Sequence, residues 1–207
     1  MNASANDEII TFYDIPLVCG AAPAIGCGSR AKPLLMDLEQ QSTIREAWLS
    51  RAGTIVAIVW SGPARTAEVA TPVFERHEVQ YKERRDDKPS SFRKKGSWFR
   101  GVEVDQLSLE EAREIAEFSV ASAAREMLVS AEEAAQIKSD IEAHFREELL
   151  KFRTKQELLQ DIETVLPEAI LNIYEKRIGM ERTAEVRAHG FENPFYRADR
   201  QKTSCCC

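Results

Sequence analysis

Two cysteines, three glycines and an arginine fall within one twelve-residue stretch, Cys19-Gly-Ala-Ala-Pro-Ala-Ile-Gly-Cys27-Gly-Ser-Arg30. It holds too much Gly, Pro and Ala for a regular element and reads as a loop between a strand end and a helix start. Thiols placed there can ligate soft metals, attack disulfides or peroxides, or fill a tight buried turn. The unpaired N–H groups opening the next helix, with Arg30 and Lys32, are expected to lower a thiol's pKa and favour the thiolate. Gly26, Gly28, Ser29 and Arg30 also have the composition of an anion nest, with backbone N–H groups aimed at a phosphate or carboxylate. The stretch lacks the GK[ST] ending of a P-loop and the third glycine of GxGxxG, and neither cysteine has the C-x5-R spacing of a cysteine phosphatase.

Three more thiols, Cys205, Cys206 and Cys207, close the sequence, making five in all. An odd count with three adjacent residues is not a disulfide framework. The metal-ligating set on this reading is Cys19 and Cys27 in the loop, with Cys205, Cys206 and Cys207 as a mobile donor. The ion would be soft or borderline, such as copper, zinc or an iron–sulfur cluster. If the protein is instead a thiol enzyme, Cys19 or Cys27 attacks, Arg30 lowers its pKa and a tail thiol resolves it. His77, His144 and His189 form no H-x-x-x-H or H-x-H pattern and give no zinc signature.

The elements that must position these groups follow from pattern. Ile9 to Val18 is β-branched and aromatic, a strand with Pro16 at an edge or bulge. Ala31 to Gln41 reads as a helix, and Thr43 with Glu46 as a capping box opening a second helix over Ile44 to Arg51. Thr54 to Trp60 is nearly all apolar, as a central buried strand would be. Residues 61 to 72 look turn-like, the stretch from His77 to Glu83 an exposed strand, and Trp98 to Val104 a last strand. Beyond that, Ser108 with Glu111, Ser130 with Glu133 and Thr154 with Glu157 each have capping-box spacing. They predict helices over 109–128, 131–152 and 155–178, the last kinked or divided at Pro167 and ended by Gly179.

The formal charge of −6 conceals an asymmetry: Glu75 to Arg100 carries +4 and the rest −10. Arginines and lysines interleaved with Phe92, Trp98 and Phe99 suggest a mobile surface loop or a patch for an acidic partner. Net acidity argues against nucleic acid as a partner. No apolar run has membrane-spanning length, and the N-terminal residues lack a signal-peptide pattern, so a cytoplasmic location without a membrane partner is expected. The apolar stripes of the long helices are expected to meet a protein partner or a second copy.

The layout of residues 1 to 60, strand, thiol loop, helix, apolar strand, resembles the βαβ half of a ferredoxin-like heavy-metal-associated domain. That likeness covers under a third of the chain, and the family's C-x-x-C is replaced by two cysteines with seven residues between them. The resemblance implies a ligand loop at Cys19 and Cys27. The expected architecture is α+β: an N-terminal sheet-containing part (1–105), a helical hairpin or bundle (106–180) and a polar tail (181–207). The leading functional expectation is a thiol-dependent metal-binding protein: a carrier, sensor or metal-cofactor assembly factor. The alternatives are a thiol redox enzyme or sensor and a non-catalytic helical interaction module.

Overall fold

The computed structural model describes residues 8–62, 67–85, 89–151 and 155–196. It is α+β, as the pattern predicts. Five strands form one antiparallel sheet in the order β4-β1-β3-β2-β5: β1 (Ile10–Asp14), β2 (Ile44–Ser50), β3 (Ile55–Trp60), β4 (Lys82–Glu83) and β5 (Trp98–Phe99). Helix α1 (Gly28–Glu39) joins β1 to β2, and α2 (Ala67–Arg76) joins β3 to β4. The remainder is helical: α3 (Asp105–Arg125), α4 (Ala131–Glu148), α5 (Lys155–Gln160), a π turn (Asp161–Val165), α6 (Leu166–Ile178) and α7 (Met180–Glu185).

The apolar run of β3 has a direct cause, because both sheet faces are covered. Val56, Ile58 and Trp60 join a core that continues through Leu34 and Leu38 of α1 to Ile115, Ile141 and Ile170 of the later helices. Ala57 and Val59 face the other way, against Phe12, Phe92 and Trp98. Phe92 and Trp98 of the basic segment thus cover this face, while Phe99 joins the opposite core. Phe92 meets Phe12 edge-on at 5.3 Å, and Arg93 lies over the Phe92 ring while pairing with Glu8.

Several local expectations fail. The stretch expected to be a helix at Ile44 to Arg51 is β2, because pairing with β3 buries Ile44, Ala47 and Leu49. Its Glu46 caps nothing and takes a hydrogen bond from Trp48 Nε1 at 2.8 Å. One helix, not two, therefore precedes β2. The turn-like stretch after residue 61 contains α2, with Pro72 inside it. The last strand stops at Phe99 and turns into a 3-10 helix, Gly101–Val104, that leads into α3. Helix α3 consequently begins before Ser108, so both Ser108 and Glu111 lie buried within it and form no cap. The Ser130–Glu133 box forms in full, with both reciprocal hydrogen bonds. Thr154 of the third box and the Cys205, Cys206 and Cys207 thiols lie outside the described residues.

Chain continuity after α4 follows the pattern more loosely. The helical run from Lys155 to Ile178 is divided by the π turn just before Pro167, and Gly179 ends it with φ +81°. Part of the predicted polar tail is helical, ending in a 3-10 turn at Pro194–Tyr196. The predicted apolar faces are largely covered by the chain itself: Ile137, Ile141, Phe145, Leu149 and Leu158 are buried. Among the described residues, no helix is long and apolar enough to cross a membrane.

Candidate functional site

The thiol loop is a clamped hairpin. Ile15 N–H donates to Thr54 O and Leu17 N–H to Gly53 O, both at 2.9 Å, tying the segment after β1 to the β2–β3 turn. Cys19 N–H donates to Ile25 O at 2.9 Å and Cys27 N–H to Leu17 O at 2.8 Å, flanking a bridge between Val18 and Gly26. In that antiparallel register Leu17 faces Cys27 and Cys19 faces Ile25, so both cysteines fall on one side of the ladder.

The glycines allow this close packing. A Cβ on Gly53, at φ +69°, would lie 2.4 Å from Leu17 O, and one on Gly26 would lie 2.8 Å from Gly53 Cα. A Cβ on Gly28 would strike Ser108 Oγ at 2.3 Å, so α1 and α3 touch through it. Two groups of the expected anion nest have protein partners: Gly26 N–H donates to Arg51 O at 2.7 Å and Ser29 Oγ to Leu149 O at 2.7 Å. Arg30 has no carboxylate partner among the described residues.

The register and the α1–α3 contact bring a third acidic group to the thiols. Glu111, on α3, is 5% exposed, and its Oε2, itself sealed from solvent, has no hydrogen-bond partner among the described residues. The carboxyl lies close enough to the Cys19 thiol to influence it, and Cys19 Sγ accepts from Ala22 N–H at 3.2 Å. Burial raises the Glu111 pKa to about 7, the neighbouring Cys19 thiol only partly opposing it. Burial also pushes the Cys27 thiol to about 12, with the Glu111 charge adding to it; the Arg30 and Ser29 amides and the Arg30 charge pull the other way. Cys19 is raised well above its ordinary value by burial, then by Glu111 and Cys27.

This reverses the expected thiolate. Cys27 is the N-cap of α1 and the helix amides and Arg30 act on it as anticipated, but desolvation is larger. A thiol of pKa about 12 has roughly one part in 10⁵ as thiolate near neutrality. Of the three groups, Glu111 is the one poised to exchange a proton there.

Cys27 and Glu111 both line a cavity of about 460 Å³, which Arg30 and Lys155 also reach. Its apolar wall includes Leu149, Leu158, Ile162 and Phe195. Ile162 sits in the π turn Asp161–Val165, an arrangement frequent at functional sites. Phe195 belongs to the 3-10 turn that crosses the thiol loop, its carbonyl lying 2.6 Å from where a Gly20 Cβ would be. Phe195 and Tyr196, from the stretch expected to be a polar tail, therefore form part of the cavity wall.

The histidines are elsewhere. His77 Nε2 bonds Asp37 at 2.8 Å, His144 packs on the Phe145 ring, and His189 lies in the turn after α7. Among the described residues, no three His, Cys, Asp or Glu side chains are grouped to hold a metal ion. Glu111 is the functional candidate that sequence reasoning missed. Its spacing from Ser108 imitates a cap, and the available signal was its place among the apolar positions of α3. No protein-family model, curated protein or solved structure matches this chain.

Proposed function

We propose that this protein binds, and exchanges a proton with, a small and largely apolar molecule in the cavity beside the thiol loop. Glu111 is the proton-exchanging group and Cys27 the thiol that meets the ligand. One observation carries this: Glu111, a buried acidic residue, and Cys27 both line a cavity large enough for a small molecule. The same carboxyl is a burden to the fold. A shift from 4.5 to about 7 corresponds to about 3 kcal/mol lost when Glu111 ionises. A leucine would pack there without that loss, so function is the economical reason for the glutamate.

The test is a fragment screen by two-dimensional NMR on the full chain. Shift changes are expected to converge on Ala21, Leu149, Leu158 and Ile162 and to vanish in Leu158→Trp, which fills the cavity. Perturbations scattered elsewhere, or unaffected by that substitution, refute a ligand site here.

A second reading, thiol-dependent metal binding with a ferredoxin-like N-terminal part, is favoured by the topology. The β-α-β-β-α-β succession with strand order β4-β1-β3-β2 supports a ferredoxin-like arrangement, and Cys19 and Cys27 lie at its β1–α1 junction. Burial weighs against a carrier that hands its ion on, since Cys19 is 0% and Cys27 7% exposed. Metal analysis of anaerobically purified protein separates the readings. Bound metal that is lost in both Cys19→Ser and Cys27→Ser favours the metal site; unchanged content in both variants removes it.

A further inference from the structure

Two cations line the cavity, and one of them is unanswered. Cys27 and Arg30 stand three positions apart at the start of α1, so they share a face of the helix, and both line the cavity. The Arg30 charge acts on the Cys27 sulfur, as this shared face requires. Arg30 is half-buried rather than sealed, and it has no carboxylate partner among the described residues. Lys155, the other cation, is held by Glu78 at 3.0 Å. The acids nearby leave the Arg30 charge in place. Cys27, pushed to about 12, stays a thiol at neutral pH, and Glu111, raised to about 7, is mainly protonated at pH 6. Leu149, Leu158 and Ile162 make much of the remaining wall apolar. An alcohol would leave the charge unanswered and an amine would be repelled by it, whereas a carboxylate matches the planar fork of a guanidinium. A phosphate monoester would bring a second negative charge that a largely apolar wall leaves unpaired.

Resting on the reading of this cavity as a ligand site, we infer that it takes a carboxylate carried on an apolar chain, the carboxylate pairing with the Arg30 guanidinium. The chain lies along Leu149, Leu158 and Ile162, and its length is limited by the cavity of about 460 Å³. Glu111 Oε2, sealed from solvent, takes no part in holding it.

Calorimetric titrations of the full chain at pH 6 with n-hexanoate, n-hexanol, n-hexylamine and n-hexyl phosphate test this. Hexanoate is expected to bind tightest, to lose about tenfold or more in Arg30→Gln, and to keep its affinity within about twofold in Lys155→Gln. Hexanol binding that is equal in the parent and in Arg30→Gln shows that the variant is folded. If the variant does not fold, the order of the four ligands on the parent protein decides. Hexanoate binding no tighter than hexanol, or undiminished in a folded Arg30→Gln, overturns the inference. So does tighter binding of hexylamine or hexyl phosphate, or a loss of hexanoate in Lys155→Gln as large as that in Arg30→Gln. In each of these cases the ligand class or its anchor fails, while the fragment map at Leu149 and Leu158 still decides whether the cavity binds small molecules at all.

Discussion

Glu46 and Glu111 carry the same sequence signature and meet opposite fates. Each stands three residues after a Thr or Ser, in Thr43-x-x-Glu46 and Ser108-x-x-Glu111, and neither caps a helix. Glu46 lies beside the covered outer face of the sheet. Although burial opposes it, Trp48 and Arg93 bond its carboxylate, and the charges of Arg93 and Arg100 help hold the pKa below the usual range. Glu111 lines the cavity, its Oε2 is sealed from solvent without a partner among the described residues, and its pKa is raised to about 7. The outer face is a completed structure, its aromatics packed and its charges paired. Glu111 has no such partners among the described residues, and the proposed ligand site rests on that difference.

The sharpest way to break this contrast is to ask whether the cavity's thiol is reactive. With Cys27 near 12 against an ordinary thiol near 8.5, alkylation by iodoacetamide at neutral pH should be about 10³-fold slower than for an unperturbed cysteine. Peptide mapping by mass spectrometry reads Cys19 and Cys27 separately from Cys205, Cys206 and Cys207. Rapid labelling of Cys27 would restore the low-pKa thiolate anticipated from Arg30 and the helix N-terminus, and would make the loop a thiol-enzyme site.

The outer face should fail through packing. Phe92 is 9% exposed and contacts Phe12 and Trp98 at 5.3 and 5.1 Å. Phe92→Ala is expected to lose about 3 kcal/mol or more in urea unfolding, with little pH dependence, since the change removes apolar surface and ring contacts. A loss well under 1 kcal/mol would mean that the basic segment is only loosely laid over the sheet.

How far the sequence foretells each region depends on whether local or distant atoms decide it. The central position of β3 is legible because burial on two faces leaves a continuous apolar run, and the Ser130 cap because both its bonds are local. Residues 44 to 50 are misread because cross-strand pairing overrides a local capping pattern. The loop cysteines are legible as a candidate site by residue type. Their environment is not, because it comes from a carboxyl 84 to 92 positions away on α3 and a turn at Pro194–Tyr196. Desolvation depends on what packs over a group, and the loop's own sequence contains only the cations that oppose it.

The two glutamates themselves provide the finest test, because their linkage to pH has opposite sign. Glu111 has a folded pKa raised from 4.5 to about 7, so its favourable state is the protonated one. Stability from that source is complete below about pH 4.5 and declines as the pH rises through 7, by up to about 3 kcal/mol. Glu111→Gln should remove the decline and leave the variant more stable than the parent near pH 8. Glu46 has a lowered folded pKa, so its contribution is present above the ordinary carboxyl range and is lost on acidification. Glu46→Gln should cost roughly 1 to 2 kcal/mol at neutral pH and progressively less in acid. Urea midpoints collected from about pH 4 to 8 should therefore show Glu111→Gln gaining on the parent as the pH rises while Glu46→Gln falls behind it. If the Glu111 variant is instead less stable near pH 8, the carboxylate has a partner within the protein, and the incompleteness that distinguishes the cavity from the outer face disappears.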